Sequence, residues 1–162
     1  MCGGICGVKI SQYCYFSVRS TSLSAADMTA RLGMQPDKVL VMGSRSPDRV
    51  LPRFHAWQIV CRSDESVDDQ LHHLMDRLEP IRAELVSLCA DVDVSPVMQV
   101  VRHFGDPDGV AAAPDDTAWD QAQEWPRPLG WHLSLTVLDF LLSMRAELDV
   151  DEYDSSDDGD DR

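Results

Sequence analysis

The loop between residues 43 and 55 concentrates side chains that suit the binding of an anion. Arg45, Arg49 and Arg53 lie among Gly, Ser and Pro residues, and His55 and Trp57 follow them. Guanidinium groups on a loop suit a carboxylate or a phosphate because they donate paired, charge-assisted hydrogen bonds, and the indole could form an aromatic wall. Alternatively, these arginines pair with some of the 28 acidic residues of the chain, as surface ion pairs of little energetic weight.

A thiol–imidazole pair is the second chemistry that the residue types allow. Cys61 and the histidines His55, His103 and His132 lie on or beside predicted strands. A nucleophilic cysteine has to be exposed beside its base, whereas the alternation around Cys61 places it in the core. The GxSxG, GxGxxG, P-loop, HExxH and EF-hand patterns are absent. We therefore predict no catalytic residue and no cofactor, and a non-enzymatic protein is the better interpretation.

Residue types that bind metals occur without a complete ligand set. Cys2 and Cys6 have no second cysteine or histidine pair at the spacing of a zinc site. Asp149 and Asp151 share one face of a predicted strand about 7 Å apart, which is wide for one ion without another ligand. We predict no metal site and interpret the two carboxylates as part of a solvated strand edge.

The overall charge limits the classes of partner. The formal net charge is -14 at pH 7, and a surface that binds nucleic acid needs clustered Lys and Arg. No apolar run reaches the roughly 20 residues that span a bilayer, and the N-terminus lacks the pattern of a signal peptide. The number of cysteines, five, is odd and implies no disulfide framework. We expect a cytoplasmic protein that binds neither nucleic acid nor membrane, with a protein partner left open.

Regular elements are predicted along most of the chain. Residues 13–19 alternate in polarity, so the even positions from Cys14 to Val18 should face a core. Ser24 begins a short helix as its N-cap, and Gly33 ends it in a left-handed conformation. Further strands are predicted at 38–42, 55–62, 92–104 and 146–153, and further helices at 66–89 and from the capping Ser134 to Leu142.

Two prolines modify these elements. Pro80 removes a backbone donor inside the predicted helix 66–89, which should kink there or divide into two helices. Pro96 in the strand 92–104 favours an edge position or a bulge. The elements together predict an α+β fold, with a four- to five-stranded mixed or antiparallel sheet packed by about three helices.

The predicted domain organisation is simple. Residues 1–12 are a glycine-rich, flexible leader, 13–153 form one compact domain, and the acidic tail 154–162 is disordered because it has too few apolar residues to form a core. Residues 105–128 are a loop insertion that lacks the hydrophobic periodicity of a helix and that of a strand. Its two indoles, Trp119 and Trp125, either fold back onto the domain or contact a partner.

Several of these segments together resemble a known family. They are YFSVRSTSLSAADMTARLGMQPDKV, the strand with Trp57, DDQLHHLMDRLEPIRAEL, and the closing WHLSLTVLDFLLSMRAELDVDEYD. The combination is similar to the bacterial family called domain of unknown function 4279, over residues 13–153. Residues 105–127 depart from the family pattern, because this segment is longer and richer in Trp than expected there. The resemblance implies a compact α+β domain. It implies no established activity and assigns no catalytic residue.

Two functional hypotheses follow. The first is a non-enzymatic binding or interaction domain, of which a toxin-neutralising immunity protein is one version, since a small acidic domain can cover a basic active site through complementary charge. The alternative is a small anion-binding sensor or enzyme that uses the loop 43–55.

Overall fold

The structure, a computed structural model, describes residues 9–106, 108–111 and 130–155. A 3-10 turn, Glu79–Ile81, joins the second helix of this part of the chain to the third. The strands are β1 (Lys9–Ser20), β2 (Lys38–Leu40), β3 (His55–Arg62), β4 (Val94–Phe104), β5 (Val110–Ala111) and β6 (Glu147–Asp154), and the helices are α1 (Ala25–Leu32), α2 (Val67–Leu78), α3 (Arg82–Cys89) and α4 (Leu135–Met144).

The strands form one mixed sheet in the order β2-β3-β1-β4-β6, and β5 pairs with the beginning of β1. The pairs β2–β3, β3–β1 and β1–β4 are antiparallel, whereas β6 lies parallel to β4. The predicted α+β class is confirmed, and of the two predicted sheet types the mixed one is observed. Parallel pairing needs a long crossover, which here contains α4.

The helices form a single layer on one face of the sheet. Helix α1 packs on α3 and β3, α2 packs on β1, β3 and α4, and α3 packs on β4 and α4. The core lies between the two layers and includes Cys14, Phe16 and Val18 of β1, as the alternation predicted. The rings of Phe16 and Phe140 meet edge to face at 5.8 Å, so the central strand contacts α4 directly.

Serine caps begin three of the helices. Ser24 accepts a hydrogen bond from the Asp27 N–H, and Ser134 accepts one from the Val137 N–H, as the sequence predicted for both. Ser66 caps α2 in the same way. Gly33 ends α1 with a φ of 66°, which confirms the predicted left-handed position.

The two predictions from proline have different outcomes. Pro80 lies in the 3-10 turn between α2 and α3, which confirms the predicted division of the long helix. β4 is an interior strand between β1 and β6, and its continuous register with β1 has no bulge at Pro96. The predicted edge position holds only at Pro96 itself. Pro96 is tolerated because it pairs with Val18 on one side and precedes Val97, the first β4 residue that pairs with β6.

The first and last strands extend beyond residues 13–153. β1 begins at Lys9, inside the segment 1–12 that the sequence suggested as a leader, and Asp154, predicted to begin the tail, is the last residue of β6. Pairing with a neighbouring strand extends each of them, since Lys9 pairs with Ala111 of β5 and Asp154 pairs with Phe104 of β4. The predictions for Cys2, Cys6, Trp119, Trp125, most of 105–128 and the end of the tail fall on residues outside the described ranges.

Candidate functional site

The loop between β2 and β3 is a hydrogen-bonded hairpin. Ser46 and Leu51 form a β-bridge, and the N–H of Arg45 also donates to the Leu51 carbonyl at 2.8 Å. The Gly43 N–H donates to the Pro52 carbonyl at 2.9 Å, closing the base of the loop. This network orders the backbone that carries the predicted anion-binding arginines.

The three loop arginines are exposed. Arg45, Arg49 and Arg53 form no ion pair with a carboxylate of the described residues, whereas Arg31, Arg77, Arg82 and Arg102 each form one. Internal pairing, the alternative considered from the sequence, is thus not observed in the described part of the chain. The loop presents unneutralised positive charge on an acidic protein.

His55 and Trp57 occupy different environments at the end of this loop. His55 Nδ1 accepts a hydrogen bond from the Met42 N–H at 3.2 Å, so the ring is fixed beside the loop. Trp57 is fully buried, and its indole N–H donates to the Met34 carbonyl at 3.2 Å. Trp57 therefore packs in the core, as its alternation predicted, and does not line the loop surface with His55.

The second candidate surface is the face of the sheet that lies opposite the helices. We call it the open face, because no helix of the described ranges packs on it. By strand register it carries Tyr13, Tyr15, Ser17 and Arg19 of β1, Ala56, Gln58, Val60 and Arg62 of β3, Val97, Gln99, Val101 and His103 of β4, and Asp149, Asp151 and Tyr153 of β6. Aromatic and polar side chains dominate this face, but its centre is buried, since the exposed fraction is at most 5% for Ser17, Ala56, Gln58, Val97, Gln99 and Val101.

Side chains on the open face contact one another across strands. The Gln58 amide donates to Ser17 Oγ at 3.2 Å, and the Gln99 amide donates to Asp151 at 3.1 Å. The Arg62 guanidinium lies 4.1 Å from the centre of the Tyr13 ring. These contacts hold the polar groups in defined positions.

The third candidate surface is a leucine stripe on α4, formed by Leu135, Leu138 and Leu142. Their exposed fractions are 79%, 41% and 77%. The opposite side of α4 is buried in the core through Val137, Phe140, Leu141 and Met144. Spacing of three and four residues places the stripe along one side of the helix, and Asp139 lies beside it.

The thiol–imidazole pair is not formed. Burial raises the pKa of Cys14 and of Cys89 to about 12. Burial, and then the charge of Glu65, also raise the pKa of Cys61. Cys61 lies six residues along β3 from His55, about 20 Å in an extended strand. No cluster of metal-ligating side chains is found among the described residues.

A histidine cluster that the sequence did not predict joins α4 to α2. His132 Nδ1 lies 3.0 Å from the Asp68 carboxylate, and the His132 N–H donates to the same carboxylate at 3.1 Å. His72 Nε2 lies 3.3 Å from Ser134 Oγ, which already caps α4. These contacts fix the start of α4 on the first turns of α2.

A known family matches most of the chain. The family described as "Domain of unknown function (DUF4279)" matches residues 9–155. The chain belongs to this family. No curated protein and no solved structure matches the chain. In the described part of this DUF4279 domain, no helix is long and apolar enough to cross a membrane.

The open face and the leucine stripe were not predicted as sites. The signal for the open face was present in the tyrosines at alternate positions of β1, since Tyr13 and Tyr15 have polar tips suited to a wet surface. The signal for the stripe was an α4 sequence that is apolar on nearly all sides, more than one buried face requires.

Proposed function

We propose that this DUF4279 domain is a non-enzymatic interaction domain that binds a protein partner through the leucine stripe of α4. The exposure of Leu135 and Leu142, at 79% and 77%, is the observation that supports it. Large apolar side chains grouped on one helix face are typical of a contact surface, whereas scattered ones are not. An amphipathic groove or helix is the kind of partner surface that recognises such spacing.

The stripe can anchor an interface without supplying the whole of its affinity. The three exposed fractions leave about two leucine side chains open to water, and burying that surface contributes about 4 kcal/mol before the cost of association is subtracted. The net charge of -14 and the exposed Asp139 beside the stripe favour a partner whose apolar surface is surrounded by Lys and Arg. A basic toxin that this domain inhibits is one such partner.

Affinity capture with matched variants tests the proposal. We expect the wild-type chain to retain a basic protein from extracts of the native host, and the double variant Leu135→Ser, Leu142→Ser to lose it. After purification of that protein, the double variant should weaken binding about 100-fold, since each tenfold in Kd is about 1.4 kcal/mol. Val92→Ser is the control, because Val92 is apolar and 96% exposed but belongs to the turn between α3 and β4 and not to α4. Equal retention by the wild type and the double variant would contradict the proposal.

The loop arginines support a second candidate function, the binding of an anionic ligand by Arg45, Arg49, Arg53 and His55. The supporting observation is that three guanidinium groups on an ordered hairpin have no carboxylate partner among the described residues. A planar guanidinium binds phosphate or carboxylate through two parallel hydrogen bonds.

Thermal unfolding in the presence of nucleotides, sugar phosphates and carboxylates tests this candidate. A ligand at about 100 times its Kd adds roughly 2.7 kcal/mol of stability. The double variant Arg45→Gln, Arg49→Gln should lose that shift while melting at the wild-type temperature without ligand. A panel in which no anion raises the melting temperature sets the loop aside as a ligand site.

A further inference from the structure

We propose that β2 and the hairpin that follows it bind an acidic segment of a partner protein that also carries apolar side chains. The proposal rests on the second candidate function, because it uses the same arginines, and it names the class of molecule that supplies the anion. We call residues 38–53 the basic hairpin. This segment has four basic residues and one acidic residue, so its charge is opposite to that of the whole chain.

The basic hairpin also exposes large apolar side chains. They are Val39, Val41, Val50 and Leu51, each between 39% and 50% exposed. Among the described residues, only this segment and the leucine stripe of α4 hold three or more exposed large apolar side chains. A small anion bound to the arginines would leave this apolar surface in water, whereas a peptide can cover both kinds of group.

Val50 has a backbone conformation that its side chain disfavours. Its φ of 49° lies in the left-handed region, where a β-branched residue is an outlier. Such a conformation costs about 1–3 kcal/mol, and residues of this kind cluster at binding sites. Gly or Asn would adopt it with less strain, yet the turn carries an exposed valine. We therefore assign the side chain of Val50 to the contact with the partner.

The arginines determine the charge of the partner. Arg45, Arg49 and Arg53 are exposed and form no ion pair with a carboxylate of the described residues. Carboxylates of a partner can supply these ion pairs, which favour association through complementary charge. An anionic membrane would also offer negative charge beside apolar groups, but the net charge of -14 repels so extended a negative surface. A peptide segment meets the basic hairpin alone.

Strand β2 determines the shape of the ligand. It lies at the edge of the sheet, and β3 is its one partner among the described strands. An edge strand leaves backbone N–H and C=O groups that an extended peptide can bind. Side chains of an extended peptide alternate between its two faces. The segment that fits therefore has acidic and apolar residues in alternation.

Nuclear magnetic resonance with three synthetic peptides tests the proposal on the full chain labelled with nitrogen-15. Each peptide is about ten residues long, the length of a long strand, and they alternate Glu with Leu, Lys with Leu, and Glu with Ser. We expect the Glu–Leu peptide to shift the backbone amides of residues 39–53 with a Kd on the order of 10 μM. The Glu–Ser peptide should bind there at least about tenfold more weakly, and the Lys–Leu peptide should leave these amides unchanged.

A variant that removes the apolar contact without disturbing the fold makes the test specific. In the double variant Val41→Thr, Val50→Asn, Thr keeps the shape of Val and Asn tolerates the left-handed φ. We expect it to melt no lower than the wild type and to bind the Glu–Leu peptide at least about tenfold more weakly. Val92→Ser is the control, since it removes an exposed valine outside the basic hairpin.

Four results would overturn the proposal. They are a Glu–Leu peptide that does not shift residues 39–53, equal binding of the Glu–Ser peptide, equal binding by the double variant, and binding of vesicles of phosphatidylserine and phosphatidylcholine in preference to the peptide. Thermal unfolding with small anions in the same preparation separates this proposal from the second candidate function. A melting temperature raised by a small anion, without any shift by the peptide, would leave the anion site standing and refute the peptide.

Discussion

Gln70 is a polar residue of α2 that the core depends on. It is fully buried, and its side chain bonds to backbone groups of two segments, β1 and the loop between β3 and α2. Its carbonyl oxygen accepts from the Cys14 N–H of β1 at 3.1 Å. Its amide group lies 3.1 Å from the Ser63 carbonyl, 3.2 Å from that of Glu65 and 3.4 Å from that of Gln12. We predict that Gln70→Met, which keeps the length of the side chain, destabilises the protein strongly.

The magnitude follows from the number of bonds. The two amide protons serve three carbonyls, so about three full hydrogen bonds are lost, at about 1 kcal/mol each. The N–H of Cys14 is left buried and unpaired, while the added apolar contact of Met compensates in part. We expect a loss of about 3 kcal/mol from a total that is typically 5–15 kcal/mol for proteins of this kind. For a chain of this size, that corresponds to a fall in Tm of about 10 °C.

Urea unfolding followed by tryptophan fluorescence and circular dichroism measures this loss. The midpoint should fall with an unchanged slope, because the surface exposed on unfolding stays the same. Asp76→Ala is the control on the same helix, since Asp76 is exposed and should change stability by less than about 0.5 kcal/mol. Gln70→Glu should be less stable at pH 7 than at pH 5, because only the protonated acid avoids a buried charge. A Met variant within 1 kcal/mol of the wild type would refute the reasoning.

Three further predictions concern separate parts of the molecule. Hydrogen bonds from Arg77 lower the pKa of Asp37, so their stabilisation is present above about pH 4 and is lost as the pH falls through the folded value. Asp37→Asn should therefore cost about 1 kcal/mol at pH 7, after allowance for solvent screening, and approach the wild type near pH 3 in urea unfolding. Burial raises the pKa of Cys14 and Cys89 to about 12, so iodoacetamide at pH 8 should modify them only after denaturation, as peptide mass spectrometry would measure. Gly33→Ala should cost about 1 kcal/mol in thermal unfolding, because the φ of 66° strains a residue with a Cβ.

Each of these predictions has a clear contrary result. If the stability difference between Asp37→Asn and the wild type grew toward low pH, the pair with Arg77 would not lower the pKa of Asp37, and the prediction would be wrong. Modification of either buried cysteine in the native protein at the rate of a free thiol would contradict its burial. Gly130→Ala is the control for Gly33, since a Cβ at Gly130 meets nothing within 4 Å, and equal losses in both variants would remove the role of the left-handed φ.

Local sequence signals predicted most of the elements. The strand at 55–62 coincides with β3, and the caps at Ser24 and Ser134 and the break at Pro80 are found where the sequence indicated. These features depend on interactions within a few residues, such as a side chain that caps the next turn or a ring that removes one donor. The sequence alone contains that information.

The candidate sites were predicted less completely. The exposed loop arginines follow from the composition of the loop, because charged residues beside Gly, Ser and Pro stay at the surface. The contact of Arg62 with the Tyr13 ring does not, since the two residues lie 49 positions apart in the chain and meet only through the pairing of β1 with β3. Neighbours brought together by strand pairing cannot be recognised in one sequence without an alignment.

The amino-acid sequence by itself determined the α+β class, the helix limits at Ser24, Gly33 and Pro80, and the inward face of β1, because periodicity and backbone chemistry act over short distances. Tertiary structure decided which side of α4 is buried. Leu141 is 7% exposed and its neighbour Leu142 is 77% exposed, although the two residues are identical in type. The same applies to the interior position of β4 and to the open face, because only the pairing of distant strands and the placement of the helices determine what each side chain touches.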